Sequence, residues 1–399
     1  MLKKSALILG IETSCDETAL ALIEGEKILA NITLSQAKIH EQYGGVFPML
    51  AKREHAKNLL PIFEKILEES KLKIPNSQFL ISNKVEEKVR KILERESELL
   101  EQFLEFVPTI EKPPIDAIAI TEGPGLEPAL WVGINFAEAL ATVWHIPVIP
   151  INHMEGHIVS ALLCRKVPSS KFQVPNKFQI TKIEFPAIAL LISGGHTELV
   201  LLKNWFDYKI IGATKDDAAG EAFDKTARIL GLPYPGGPQI SALAESARKT
   251  ESYQLKAKSY SLPRPMLKSS DLNFSFSGLK TAVLYLVKKL GALSADDKKT
   301  IAREFEDAVT EVLVVKTKKA LAQFGARTLI IGGGVSANKN IRGAFEKLAA
   351  DNGFKLFIST YELATDNALM IAFAGLLRLR ANKTRTGKKI MARGNLKIS

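Results

Sequence analysis

The segment His153-Met154-Glu155-Gly156-His157 sets two imidazoles four residues apart, on one face of a helix that follows an apolar, strand-like run. That spacing suits two ligands of one metal ion. It is not the metalloprotease arrangement His-Glu-x-x-His, because the glutamate stands third, at Glu155. The chain has only six histidines, so two at this spacing favour a metal site, with a buried hydrogen-bonded pair as the alternative. A further donor is required, and a hard carboxylate oxygen would complete a two-histidine set. Acidic residues stand at the mouths of several elements: Glu12, Asp16 and Glu17 in the first turn, Asp224 inside a helix and Asp366 at a helix start. Asp366, in Thr365-Asp366-Asn367, also reads as a helix N-cap.

Glycine-rich turns recur at strand ends: Ser193-Gly194-Gly195-His196-Thr197, Pro235-Gly236-Gly237 and Gly332-Gly333-Gly334-Val335-Ser336-Ala337-Asn338. Each can present backbone N–H groups to a phosphate without side-chain obstruction. Taken singly, the first is an ordinary hairpin turn and Asn338 an ordinary N-cap. Three such loops beside a histidine pair point to a nucleotide site.

The elements that must position these residues occur in a repeated order. Apolar runs at Leu7–Ile11, Ala19–Ile23 and Lys27–Leu34, with a turn at Glu24-Gly25-Glu26, read as an antiparallel meander. A helix (about Leu50–Glu69), a buried strand near Ile115–Ile120, a helix (Ala129–Trp144) and a strand (Pro147–Ile151) follow. The order then restarts with a hairpin at Ala187–Leu202 and a third strand at Lys209–Ala213, helices through about Phe324, and strand–helix units from Thr328 onward. Two related halves facing a cleft are expected, each with a mixed sheet. Between them lies an apparent insertion: apolar residues at 85, 89, 92, 99, 103 and 106, broken at Glu96, predict an inserted amphipathic helix over about 76–108 that packs on its own domain. The resulting division is an N-terminal lobe over 1–155, a C-terminal lobe over 156–375 and a basic tail over 376–399.

With 399 residues, 46% hydrophobic and 24% charged, the chain can fill more than one core. Two cysteines, Cys15 and Cys164, exclude a disulfide framework and fit a reducing cytoplasm. No apolar run is long enough to span a bilayer, and Glu12 and Asp16 interrupt any signal-like N-terminus. The net charge of +11 is concentrated: Arg378, Arg380, Lys383, Arg385, Lys388, Lys389, Arg393 and Lys397 end the chain without one acidic residue, and Arg165, Lys166, Lys171, Lys177 and Lys182 form a second basic stretch. Such clusters suit a polyphosphate partner, with a solvated terminus as the plain alternative.

Taken in order, Gly10-Ile-Glu-Thr-Ser-Cys-Asp-Glu-Thr18, His153-Met-Glu-Gly-His157, Ser193-Gly-Gly-His-Thr197, Gly220-Glu-Ala-Phe-Asp-Lys-Thr226, Tyr234-Pro-Gly-Gly237, Phe274-Ser-Phe-Ser-Gly-Leu-Lys280, Gly333-Gly-Val-Ser-Ala-Asn338 and Thr365-Asp-Asn367 resemble TsaD, the tRNA N6-adenosine threonylcarbamoyltransferase family, in its bacterial and organellar branch. The resemblance implies a two-lobed actin-like ATPase fold of the α/β class. It implies one divalent metal, Fe2+ with Zn2+ as the alternative, held by His153, His157 and Asp366. It places the substrate threonylcarbamoyl-AMP on Leu191, Ile192, Ser193, Gly194, Gly195, Asp224, Gly237 and Asn338. The reaction would carry threonylcarbamoyl to N6 of the adenosine just 3′ of the anticodon in tRNAs reading ANN codons, releasing AMP. Asp16 is the candidate base, because its loop should face the cleft. The family's partners would be tRNA, a TsaB-like paralogue and a TsaE-like ATPase, in the cytoplasm.

The sequence departs from the family pattern at the long 76–108 segment, at the basic 165–183 stretch and at Met391-Ala-Arg-Gly394, where an Arg-Pro-Arg-Trp-like ending is expected. None of these touches the metal or nucleotide motifs. Competing readings are a small-molecule kinase or ATPase of the same superfamily, which needs no histidine pair, a metallopeptidase, which the missing His-Glu-x-x-His opposes, and a nucleotide-binding scaffold without catalysis.

Overall fold

Three short strands open the chain and pair in sequence order: β1 (Leu7–Glu12), β2 (Glu17–Glu24) and β3 (Lys27–Ser35). β1 and β2 run antiparallel with Ile8 opposite Ile23, and β2 and β3 likewise with Ala21 opposite Asn31. The computed structural model describes residues 5–72, 74, 81–165, 178–249, 260–384 and 389–399. After a short helix, α1 (Ala37–Glu41), and the long α2 (Pro48–Ser70), come α3 (Asn83–Ile92), α4 (Ser97–Phe106), β4 (Ala117–Gly123), α5 (Glu127–Trp144), β5 (Val148–Asn152) and α6 (His153–Leu162). β4 and β5 add to β1 in parallel, so the sheet order is β3-β2-β1-β4-β5. A small ribbon of β6 (Leu163–Arg165) and β7 (Phe178–Ile180) follows.

The second half repeats the scheme. β8 (Ala187–Ile192), β9 (Thr197–Asn204) and β10 (Asp207–Ala213) form the meander, then come α7 (Ala219–Ile229), α8 (Gly236–Lys249), α9 (Ser277–Leu290) and α10 (Ala295–Phe324). β11 (Thr328–Gly332), α11 (Lys339–Asn352), β12 (Lys355–Ile358), α12 (Tyr361–Ala364) and α13 (Ala368–Arg380) close the order. The sheet order β10-β9-β8-β11-β12 matches the first, strand for strand. This is the restart expected from the order of apolar runs.

Each half has its own core. Phe63, Phe103 and Phe136 meet edge to face in the first, and Phe223 and Phe305 in the second. β1 and β4 are buried along their whole length because helices cover both faces of their sheet. One covering helix is α13: a Cβ on Gly10 would lie 2.8 Å from Ala372 Cβ, and one on Gly375 2.5 Å from Ala119 Cβ. The compact units therefore do not follow the boundaries expected at 155/156 and 375/376. The first unit takes Val46–Thr181 and recovers Asp366–Lys397 from the end of the chain, while Lys182–Thr365 makes up most of the second.

The segment expected as one helix over 76–108 is two, α3 and α4, with residues 75–80 outside those described. The break falls where Glu96 interrupts the apolar seam. Its buried carboxylate pairs with Lys52 at 3.3 Å and accepts from Asn135 Nδ2 at 3.2 Å, and the chain turns to reach them. Val89, Leu93, Leu99, Phe103 and Val107 join the first core, so the insertion packs on its own unit. The basic C-terminus is also packed in part: Ile390, Ala392 and Ile398 are buried, and Arg393 pairs with Glu122 at 2.6 Å. Lys166, Lys171, Lys177, Arg385 and Lys388 lie outside the described residues. No helix among the described residues is long and apolar enough to cross a membrane.

Candidate functional site

In the first unit the chemistry gathers at the carboxyl ends of β1 and β5, where parallel strands open their loops to ligands. Asn152 ends β5 and caps α6, its Oδ1 accepting from Met154 N at 2.9 Å. That cap makes His153 the first helical residue and puts His157 one turn on, the two rings 4.7 Å apart and nearly perpendicular. Asp366 completes the set: its Oδ1 lies 3.3 Å from His153 Nε2 and 3.2 Å from His157 Nε2. The N-cap of α13 is Asn367, whose side chain accepts from Met370 N at 3.0 Å, so Asp366 does not serve as the cap and its carboxylate is left to the histidines.

A second carboxylate sets the orientation. Glu12, fully buried at the end of β1, places Oε2 3.1 Å from His153 Nδ1. Its Oε1 accepts from Ser14 N at 2.6 Å and its Oε2 from Thr121 Oγ1 at 2.6 Å, while Ser14 Oγ also reaches His153 Nδ1 at 3.1 Å. A carboxylate on Nδ1 fixes the tautomer whose Nε2 lone pair faces Asp366, as in carboxylate–histidine–metal sites. Glu12 is among the acidic residues readable in the sequence, but nothing there marks its partner; the sole signal is a charged residue closing a wholly apolar strand.

The electrostatics favour a cation. Burial opposes charge on His153, but Asp366 and Glu12 outweigh it and hold its pKa well above that of a free imidazole. Burial pushes Glu12 up, yet His153 and Thr121 bring it net below the usual carboxylate range, and the two histidines likewise depress Asp366 despite burial. Burial lowers His157 instead. Two carboxylates about one imidazolium leave a negative charge unbalanced, and a divalent cation in place of the proton balances it. His157 is buried, its Nδ1 makes no hydrogen bond and its Nε2 has only the Asp366 carboxylate, 3.2 Å away, beside it, so a cation shared by Nε2 and Asp366 would satisfy both. His153, His157 and Asp366 bring one donor atom each within 4.8 Å of one another, and the nitrogen–nitrogen–oxygen set suits a divalent transition metal.

Asp16 lies buried in the same β1–β2 loop, in hydrogen-bonding reach of Cys15 and Glu17. Burial, with Asp366 and Asp16 nearby, holds the Glu17 carboxyl well above the usual range.

The glycine-rich loops all fall in the second unit; two stand at the carboxyl ends of the parallel strands β8 and β11, whereas Pro235-Gly236-Gly237, expected at a strand end, joins α7 to α8 instead. Leu191 and Ile192 are buried at the end of β8. Ser193 folds the turn, its Oγ accepting from His196 N at 3.1 Å and its carbonyl from Gly220 N at 3.2 Å. That second bond seats the N-terminus of α7 on the turn, where a Cβ on Gly220 would strike Ser193 O at 2.7 Å. Gly194 and Gly195 are exposed, and a Cβ on either would meet nothing within 4 Å, so their backbone is open. Asp224 accepts from Gly236 N at 2.7 Å and draws the N-terminus of α8, Gly236 and Gly237, against α7. Gly333, at φ 91°, passes so close to Ile192 O that a Cβ would sit 2.4 Å away. Asn338 caps α11 through Ile341 N at 2.9 Å, and its amide donates to Ser241 at 2.7 Å and to Glu306 at 2.6 Å. Its side chain is therefore engaged with the protein. Glu306 and its partner Arg248, 2.5 Å away, form a support that no sequence motif announced.

Repeated sheets of this order, with loops at the carboxyl ends of parallel strands and a buried histidine–carboxylate cluster, define a two-lobed α/β protein of the actin-like class. Solved structures agree on the fold. HypF in a phosphate- and nucleotide-bound form superimposes with a TM-score of 0.51 at 12% identity, over 97% of this chain and 48% of that one. HypF of T. kodakarensis gives the same TM-score, 0.51, over 97% and 49%. This chain thus spans about half of either HypF. The family profile described as TsaD, tRNA N6-adenosine threonylcarbamoyltransferase, matches residues 27–78 and 86–373. The protein of that name in Chromobacterium violaceum is 42% identical over 395 residues, 98% of each chain, and that of Herminiimonas arsenicoxydans 43% identical over 378 residues, 94% of this chain and 93% of that one. The chain belongs to the TsaD family.

Proposed function

We propose that this chain transfers threonylcarbamoyl from threonylcarbamoyl-AMP to N6 of the adenosine just 3′ of the anticodon in tRNAs reading ANN codons, releasing AMP. The observation that carries the reading is the buried His153–His157 pair with half-buried Asp366, oriented by Glu12, in a chain of the TsaD family. The exocyclic amine of adenine is a weak nucleophile, so the carbamoyl carbon must be made more electrophilic. A divalent ion held by His153, His157 and Asp366, Fe2+ in this reading with Zn2+ as the alternative, would supply Lewis-acid polarisation of substrate oxygens.

The protein's own groups supply the rest. Gly194 and Gly195 offer open backbone beside the N-terminus of α7, whose dipole favours the adenylate phosphate. Leu191, Ile192 and Ser193 shape that turn, Asp224 fixes the start of α8 through Gly236 N, and Gly237 and Asn338 complete the adenylate site, Asn338 by holding its loop in place. Asp16 takes the proton from N6. The target base lies in a loop and can be splayed out without melting a duplex. Among the described basic residues of the C-terminus, exposed Lys383, Lys389 and Lys397 suit the RNA backbone, whereas Arg393 is committed to Glu122. A TsaB-like paralogue and a TsaE-like ATPase are the partners this reading adds, in the cytoplasm.

The test is transfer of radiolabel from threonylcarbamoyl-AMP to an unmodified anticodon stem-loop, with the partner proteins present. Label in the nucleoside 3′ of the anticodon is expected, and none when that adenosine is replaced by guanosine. Label retained after the replacement would reject the assigned acceptor.

A further inference from the structure

We propose that Arg378 is a positioning residue for the metal centre, holding α6 and α13 in the register that brings His157 and Asp366 together. The proposal rests on reading His153, His157 and Asp366 as metal ligands. Two ligands ride on α6 and the third stands just ahead of α13, so their spacing depends on how one helix lies on the other.

Two contacts set that lie. The first is Gly156, between the histidines, where a Cβ would come 3.0 Å from both Ile371 Cδ1 and Met370 Cγ. Glycine here lets the helices close without displacing each other. The second is Glu155, fully buried and facing Arg378 from the last turn of α13. Arg378 Nε lies 3.1 and 3.0 Å from the two carboxylate oxygens, and its terminal nitrogen 2.5 Å from Oε2. Met370 and Arg378 are about 12 Å apart along an α-helix. A single contact would leave α6 free to pivot on α13; two contacts at that separation fix both slide and rotation.

The chemistry makes the register selective. A buried carboxylate is costly without a paired cation, and the planar guanidinium satisfies both oxygens in one geometry. Metal–ligand distances tolerate only about 0.2 Å, so a small pivot would spoil a site in which His157 Nε2 and Asp366 Oδ1 stand 3.2 Å apart. Arg378, which by sequence alone belongs to a basic tail suited to RNA, is on this account spent inside the first unit.

The test titrates metal-free full-length protein with Co2+ against a competing chelator, recording the visible spectrum of the bound ion and thermal denaturation alongside. Arg378→Gln is expected to weaken Co2+ binding about 10- to 100-fold and to shift the spectrum. Arg378→Lys, which keeps the charge without the two-armed contact, should recover part of the loss. Lys52→Gln, which strips the partner from buried Glu96 elsewhere in the unit, should lower the melting temperature and leave affinity and spectrum unchanged. If Arg378→Gln does not fold, Gly156→Ala replaces it, with the same weakening expected. Wild-type affinity and spectrum in the variant so tested would overturn the proposal, as would equal weakening by Lys52→Gln. A wild type that fails to bind Co2+, or whose binding survives His157→Ala, would instead overturn the metal reading beneath it.

Discussion

Glu12→Gln tests the orientation of the metal site with the smallest change of shape. Glu12 offers acceptors on both sides: Oε1 to Ser14 N at 2.6 Å, and Oε2 to Thr121 Oγ1 at 2.6 Å and His153 Nδ1 at 3.1 Å. An amide has one acceptor, so either orientation sets its NH2 against a donor. With the NH2 toward His153, the imidazole must accept at Nδ1 and carry its proton on Nε2, which removes a ligand lone pair. Loss of such an orienting partner weakens metal binding about 10- to 100-fold, roughly 1.4–2.8 kcal/mol. With the NH2 toward Ser14, a buried backbone N–H is left unsatisfied at a cost of about 1–3 kcal/mol. Chelator competition with Co2+ and thermal denaturation read the two outcomes separately. A Glu12→Gln protein with wild-type affinity and wild-type stability would refute the role given to Glu12.

Metal affinity should also depend on pH with a slope of about one. The raised pKa of His153 means that one proton leaves as the ion enters, whereas His157, lowered by burial, is already neutral near pH 7. Affinity should rise about tenfold per pH unit until pH passes the raised His153 value, then level off; a slope near zero or two in the same competition assay would contradict this. In the metal-free protein the sign is opposite. Because the folded pKa exceeds the unfolded one, the His153 contribution to stability is complete below about pH 6.5 and is lost as pH rises through the folded value, which denaturation at several pH values can follow. Gly333→Ala, at φ 91° with Ile192 O at 2.4 Å from the new Cβ, should cost about 1–3 kcal/mol by urea denaturation. Gly237→Ala meets nothing within 4 Å; it should leave stability within about 0.5 kcal/mol while raising KM for the adenylate, and an unchanged KM would remove Gly237 from the binding loop.

The repeated strand order was legible because turn residues separate short apolar runs, and the histidine pair because four residues make one helical turn. What escaped the sequence needed a partner to be visible. α13 is apolar on every side from Ala368 to Leu376, and such a helix does not reveal which sheet it covers; Gly10 and Gly375, which accept it onto β1 and β4, are unremarkable until it arrives. Asp366 and Asn367 are equally good caps on paper, and a shift of one residue decides which carboxylate meets the histidines. The 76–108 segment showed its apolar spacing and its interruption at Glu96, but a break in a seam reads as one bent helix or two until Lys52 and Asn135 are seen to claim the carboxylate. Glu12 and Arg378 carried charge without an address, since their partners are 141 and 223 residues away in sequence.

The most direct measurement follows AMP release and label transfer together, using metal-loaded wild type and His157→Ala with threonylcarbamoyl-AMP, the anticodon stem-loop and the partner proteins. One AMP per threonylcarbamoyl placed on adenosine is expected in the wild type, and loss of transfer in a folded His157→Ala protein. Equal transfer by both would contradict the metal centre as the seat of the chemistry, and AMP released without label in the RNA would contradict the transferase itself.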